Sequence, residues 1–210
     1  PVAACAKTAL AFSVGPSVPE SVKTIADFIV WSKANPNQAA YASTSAGATP
    51  HFAGLMFSKS AGISLLHVPY KGGAPALQDL MGGQIASSFN PVGEVIPQLK
   101  SGKIRVLATT GVSRSKFLAT TPTFVESGFK DVVAEVWLGV VMPSNTPTSV
   151  IQKTASSINE ALKTPELIEA YSKFGMETML SSPESFSTLI KNDLATWGPI
   201  VKASGFTAED

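Results

Sequence analysis

Apolar and polar positions along the chain switch between a strand-like and a helix-like period. Short apolar runs predict strands over residues 8–14, 39–42, 65–68, 84–89 and 104–109, with glycine, proline, asparagine or small polar residues after them. Between them the 3.6-residue period predicts helices. The first spans 21–34, with Ser21 as its cap and Ile25, Phe28 and Ile29 on its inward face. The second spans 50–60, with Thr49 as N-cap and Pro50 at the first helical position. Ala74-Pro75 opens a third, ended by Gly82-Gly83, and a fourth covers 92–100. Alternating strand and helix point to a doubly wound α/β unit with a mostly parallel sheet. A further apolar strand over 136–141 precedes a mostly helical tail: helices at 149–162, 165–174 and 183–197, and a short strand near 176–179. The tail has too few strands for a sheet of its own, so it must lean on one supplied elsewhere, most naturally by a segment ahead of Pro1.

Composition narrows the class. With 210 residues, 44% of them hydrophobic, the chain can bury a proper core. The charged fraction is 15% and the formal net charge +1, with Lys and Arg scattered, so nothing favours nucleic acid or an acidic membrane surface. The longest apolar runs are strand-length, far short of a bilayer span, so the chain is not expected to insert into a membrane. A lone Cys5 excludes an internal disulfide and leaves the compartment open. Pro1 to Thr8 carry no charged n-region and no signal-peptide core, and the chain runs straight into a strand; an N-terminal part is expected to precede it.

Candidate chemistry concentrates in two loops of one design, in which a strand ends, small residues follow, and a proline-started helix begins. A helix start leaves backbone N–H groups without partners and carries partial positive charge, which stabilises an anion there by about 0.3 to 2 kcal/mol. In the first loop Ser43, Thr44, Ser45 and Thr49 offer hydroxyls, while Ala46 and Gly47 let a ligand approach the backbone. In the second, Gly72 and Gly73 do the same, Tyr70 adds a ring and a hydroxyl, and Lys71 adds a charge. Both loops lie where ligands of open α/β sheets bind, at the carboxyl ends of strands. The same residues also serve as ordinary capping chemistry. His51, in the first turn of a helix, and His67, within an apolar strand, suit packing or hydrogen bonding better than metal ligation. Trp137 fits either a core or a cleft wall, and Glu135 either a solvated strand end or a cleft-edge acceptor. No serine-hydrolase elbow, zinc-protease pair, phosphate loop or dinucleotide fingerprint is present, so no enzyme, metal or cofactor is expected.

At these loops the sequence resembles the receptors of tripartite tricarboxylate transporters, the Bug family. The carrying segments are Gly15-Pro16-Ser17-Val18-Pro19, Tyr41-Ala42-Ser43 through Gly47, Thr49 to Gly54, and above all His67-Val68-Pro69-Tyr70-Lys71-Gly72-Gly73-Ala74-Pro75. Gly82-Gly83-Gln84, Gly102 to Ala108, Thr121-Pro122-Thr123 with Glu126-Ser127-Gly128, and Trp137-Leu138-Gly139 to Pro143 extend the match over nearly the whole chain. The resemblance implies an α/β fold of the type 2 periplasmic-binding-protein kind, two lobes joined by crossing strands, with one lobe incomplete here. Residues 15–134 would form the complete lobe. Residues 1–14 and 135–210 would supply crossing strands and the returning part of the other.

It further implies a periplasmic receptor that closes around a small carboxylate, such as a dicarboxylate, amino acid or aromatic acid, for membrane transporter subunits or a sensor kinase. The implied ligand residues are those of the two loops together with Asn90 and Trp137. Asn90 departs from the aspartate common in the family; its amide donor suits either a more acidic ligand or a structural turn before Pro91. A ligand-sensing regulatory domain of the same lobe architecture is the alternative. A sheet edge left open by a missing segment invites pairing, so dimerisation through it is a further expectation.

Overall fold

The computed structural model describes residues 1–207. Its organising element is the first strand, β1 (Ala3–Val14), buried along nearly all of its length. The sequence pattern starts this strand at residue 8. The earlier residues, alanines with Cys5 and Lys7, have weak β propensity and form strand because partners on both edges capture them. From β1 the chain runs through α1 (Ile25–Ala34), β2 (Ala40–Ser43), α2 (Thr49–Ala61), β3 (Leu66–Pro69), α3 (Gly73–Met81), β4 (Ser87–Pro91), α4 (Val92–Leu99) and β5 (Arg105–Thr109). After a short 3-10 turn at Lys116–Leu118 come β6 (Glu135–Val140), α5 (Thr148–Leu162), α6 (Pro165–Lys173), β7 (Glu177–Thr178) and α7 (Pro183–Ser204).

The cap of α1 is Thr24, not Ser21. Thr24 and Asp27 form a capping box, with the Thr24 hydroxyl accepting from Asp27 N–H and the Asp27 carboxylate accepting from Thr24 N–H. Ser21 lacks such a partner three residues on. The last helix continues past Trp197 through Gly198 and Pro199.

The sheet is mixed where the alternation predicts mostly parallel strands. Its order is β3-β2-β4-β1-β5; β2 is parallel to β3 and β4, whereas β1 is antiparallel to β4 and β5. The reversal arises because β1 enters from the other half of the molecule. Its first part pairs antiparallel with β6 (Ala3 opposite Val140 through Ala9 opposite Glu135) and with β7. Its last part, from Leu10, joins β4 and β5. The helical tail thus leans on β1 itself.

Thr110 stitches the changeover. Its hydroxyl accepts from Leu10 N–H at 2.9 Å and lies 2.5 Å from Ala134 O, to which it donates. Thr8 donates to Gly175 O, and the backbones pack so closely here that a Cβ on Gly175 would overlap Gly93 and a Cβ on Gly93 would overlap the Phe174 carbonyl.

One face of the five-stranded sheet carries an aromatic core. Phe12 stands at its centre, with ring centroids of Phe28, Phe57 and Phe89 at 4.9, 5.3 and 4.8 Å. The other face is built of small residues, including Ala11 and Ala42, under Leu77, Leu80, Val92 and Val95 of α3 and α4. Each large side chain buried in this way contributes about 1.5 to 3 kcal/mol. Because β2, β3 and β4 point the same way, their carboxyl ends, carrying Ser43, Pro69 and Asn90, share one edge.

Candidate functional site

The structure laces the two predicted loops together at this edge. Tyr70 N–H donates to Ser43 O at 3.0 Å and Gly72 N–H to Thr44 O at 2.9 Å, continuing the β2–β3 pairing past the strand ends. Ser43 is fully buried; its hydroxyl donates to Ser45 O and lies 2.7 Å from His67 Nε2. It shapes the turn from inside, while Ser45 and Ala46 are exposed at the tip and Thr44, Gly47 and Thr49 are half-buried.

Gly47 has φ of +75°, a conformation glycine adopts without penalty, and its N–H points inward to His51 Nδ1 at 3.2 Å. Thr49 is not the cap of α2. Ala48 holds that position in extended backbone, its carbonyl accepting from His51 and Phe52 N–H, and Thr49 and Pro50 fall inside the first turn. Proline tolerates the second helical position as well as the first because it has no N–H to satisfy. As a result α2 begins with no side-chain cap and no acidic residue in its first turn. Among the described residues, Ala48 and Thr49 N–H have no protein acceptor.

The second loop is differently disposed. Tyr70, in the loop, donates its hydroxyl to Asp79 Oδ2 of α3 at 2.8 Å, and its phenol is pushed up to about 12 by burial and then by Asp79. Lys71 is exposed. Gly73 is buried at the start of α3, and the place of a Cβ on it lies 1.8 Å from Glu94 Oε2. Asn90 is fully buried and spends Nδ2 on the same Glu94 oxygen, at 3.0 Å. The amide that distinguishes this position therefore ties the end of β4 to Glu94 of α4, whose carboxylate lies against the start of α3.

A cavity of about 370 Å³ opens beside the first loop, walled by Gly47, Thr49, Phe52, Glu135, Trp137 and Trp197. It adjoins a second of about 270 Å³ that shares Glu135, Trp137 and Trp197 and adds Lys7. Trp137 is half-buried: its ring packs edge-on against Phe186 at 5.2 Å, and its indole N–H donates to Asp193 at the cavity wall. Glu135 pairs with Lys7 Nζ at 3.1 Å across β6 and β1. Of the sequence-predicted site residues, Gly47, Thr49 and Trp137 meet at this cavity; Tyr70 to Gly73 and Asn90 do not line it.

Sequence reasoning gave no role to Glu94, Asp193, Trp197 or Phe206. The spacing of four between Asn90 and Glu94 across a helix start was a usable signal for the first. For Phe206 there was none: α7 carries it from the far end of the chain, and Gly205 at φ +70° turns it so that its ring lies against Gly47. The two histidines, read as packing or hydrogen-bonding groups, do both. Their rings stack at 3.9 Å, 10° from parallel, directly under the first loop. Burial lowers the His51 pKa; burial, and then the charge of His51, lower that of His67 to about 4. Among the described residues no three His, Cys, Asp or Glu side chains form a metal-binding group, and no helix is long and apolar enough to cross a membrane.

Comparison with known proteins agrees with this architecture. The pattern that defines the tripartite tricarboxylate transporter family receptor matches residues 1–206. Protein BugT of Bordetella pertussis is 30% identical over 173 residues, covering 82% of this chain and 53% of BugT. A Pseudomonas protein from the tcbD-tcbE intergenic region is 29% identical over 180 residues, covering 85% of this chain and 54% of its own. The chain thus spans about half the length of these relatives.

Among solved structures, a periplasmic transporter superposes with a TM-score of 0.85 at 33% identity, covering 96% of this chain and 67% of the other. The periplasmic binding protein BugD does so with a TM-score of 0.82 at 28% identity, covering 98% and 69%. An R. palustris protein solved with adipate gives a TM-score of 0.86 at 28% identity, covering 98% and 68%. The fold is the α/β fold of these receptors, present over about two thirds of their length. The chain belongs to the tripartite tricarboxylate transporter receptor family, whose members are solute-binding receptors and not enzymes.

Proposed function

We propose that this chain forms the ligand-binding part of a periplasmic receptor that captures a small carboxylate for a tripartite tricarboxylate-type transporter, with one carboxylate of the ligand held at the start of α2. The observation that carries the reading is the uncapped helix start itself. Among the described residues Ala48 and Thr49 offer N–H groups without protein acceptors, no acidic side chain stands in the first turn, and Gly47 and Thr49 open onto the cavity that Trp137 walls. Backbone donors and the helix dipole there stabilise a negative group. The adipate carried by the R. palustris relative supports a dicarboxylate as the first compound to try.

In this reading residues 15–134 are one lobe, residues 1–14 and 135–210 return through the other, and the changeover at Leu10 and Ala134 is the hinge about which a ligand shifts the lobes toward closure. Thr44 and Ser45 contribute from the tip of the first loop, and Lys71 supplies a charge from the second. The test is titration calorimetry with adipate, glutarate, aspartate, benzoate and a neutral diamide. Saturable binding of one or more acids, with none of the diamide, is the expected result; equal binding of acid and diamide would defeat the anion-site reading.

A further inference from the structure

The reading of the 43–49 loop as the ligand loop leaves open what holds its backbone in a binding shape, and the inference rests on that reading. Ser43 has one hydroxyl hydrogen and directs it to Ser45 O. The contact of 2.7 Å to His67 Nε2 is therefore made by a hydrogen on that nitrogen, with Ser43 Oγ accepting. Gly47 N–H donates to His51 Nδ1, so Nδ1 of His51 is bare and its hydrogen sits on Nε2. The rings stack at 3.9 Å between centroids, an arrangement that two imidazolium ions would oppose. Tyr41 fixes the pair from the sheet side, donating its buried hydroxyl to His51 O at 2.8 Å and lying 5.0 Å from the His67 ring. Phe206 closes the other side, edge-on to His51 at 5.9 Å.

We infer that His51 and His67 are positioning residues of the loop, a stacked pair of neutral Nε2–H tautomers. Between them they commit Gly47 N–H and Ser43 Oγ to the interior and set the bend that presents Ala48 and Thr49 N–H, unpaired among the described residues, at the helix start. One ring sets each end of the bend: His67 from β3 fixes the last residue of β2, and His51 from the first turn of α2 fixes the glycine before it. A site built in this way has its donors aimed before any ligand arrives, which reduces the ordering cost of binding.

Nitrogen-15 NMR of histidine-labelled chain tests the tautomers directly. Both rings are expected to show protonated Nε2 and bare Nδ1, and neither should titrate at the ordinary 6.5. An Nδ1–H tautomer in either ring, or ordinary titration of both, would overturn the inference. In a second arm His51→Phe keeps the ring and removes the acceptor, whereas His51→Asn restores an acceptor where Nδ1 stood. His51→Phe should deprotect the Gly47 amide to hydrogen exchange and weaken adipate binding about three- to tenfold, the worth of one neutral hydrogen bond, with His51→Asn recovering most of both. Unchanged Gly47 protection in folded His51→Phe refutes the positioning role. If His51→Phe does not fold, His67→Gln, whose amide nitrogen matches Nε2, must keep the Gly47 protection that His67→Phe loses; equal protection in the two refutes the pair. Should the parent chain bind none of the acids titrated, the proposed ligand class falls, while tautomers and exchange still decide the positioning role.

Discussion

The helix that follows β2 begins at Thr49 with no side-chain cap and no acid in its first turn, whereas the helix that follows β3 begins at Gly73 beneath the carboxylate of Glu94. The two starts read alike in sequence, with small residues, a proline and a strand end just before, and hydrogen bonds lace their loops together. What separates them is a residue from a third helix. Asn90, at the end of β4, turns Glu94 toward the start of α3, so that helix already has a negative group beside its dipole. A ligand carboxylate there would meet a like charge, at a cost of about 1 to 4 kcal/mol at 4 Å. At α2 the first turn holds no carboxylate, and the two acids on the cavity wall are already engaged, Glu135 by Lys7 and Asp193 by the Trp137 indole. Anion sites in this fold are thus decided less by the loop that forms them than by whether the protein has spent its own carboxylate there.

The largest effect that breaks the comparison concerns how each helix is seated. Gly54 of α2 rests on the ring of Tyr41, with the place of its Cβ 2.0 Å from Tyr41 Cε2, and Tyr41 is fully buried and cannot retreat. Gly54→Ala should cost about 2 kcal/mol or more and lower Tm by roughly 4 to 8 °C in thermal unfolding. At Gly73 the added methyl meets chiefly the far end of flexible Glu94, so Gly73→Ala should cost less than about 1 kcal/mol. Equal losses would mean that α2 and α3 are held in the same way.

Next comes the turn itself. Gly47→Ala places a Cβ at φ +75° and 2.4 Å from the Phe206 ring, so the backbone must leave the shape that frees Ala48 and Thr49 N–H. Calorimetry should show adipate affinity down by about tenfold or more, the equivalent of roughly 1.4 kcal/mol. Gly72→Ala, also at positive φ but in open space, should leave that affinity within about threefold despite some backbone strain.

Acid separates the loops again, because only the first has histidines beneath it. The folded pKa of His67 is about 4 and that of His51 is also lowered, both below the ordinary 6.5. Between those values the unfolded chain binds protons that the fold refuses. Their contribution to stability is therefore complete above about 6.5, falls as pH drops toward 4, and is spent below it. No carboxylate pairs with either ring among the described residues, so nothing offsets the loss. Tm followed from neutral pH down to 4 should decline through this window in the parent chain and decline less in His67→Gln. Parallel curves would place the acid sensitivity elsewhere.

Much of this contrast lay beyond the reach of the sequence, for identifiable reasons. Strands β2 to β5 and the helices between them were legible because glycine, proline and asparagine punctuate them. The first half of β1 was not, since alanines become strand only when β6 and β7, more than a hundred residues away, pair with them. The direction of β1 in the sheet was hidden for the same reason. Within the site, Gly47, Thr49 and Trp137 were readable from their loops and strand, and the structure brings them to one cavity. Asp193 reaches it, and Phe206 reaches Gly47, only because α7 crosses to α2. Glu94 was passed over because a carboxylate in the first turn of a helix ordinarily serves its own helix, and here it also faces a neighbour's.

The smallest expected effect is the sharpest test of that last point. Glu94→Gln keeps the size of the side chain and a partner for Asn90, but removes the negative charge beside the start of α3. Stability should change by less than about 1 kcal/mol, since the lost dipole interaction is a surface one. Binding should change in a way that depends on the ligand. Adipate carries a second carboxylate that hexanoate lacks; with one end held at α2 and the two loops joined, only adipate has a second charge to bring near α3. Its affinity should rise by about two- to fivefold in the variant while that of hexanoate holds, a difference of about 0.4 to 1 kcal/mol that paired titrations at low salt can resolve. Equal gains for both acids would mean that Glu94 acts on the first carboxylate, and the division between the two helix starts would then lie closer to Gly47 than Asn90 and Glu94 suggest.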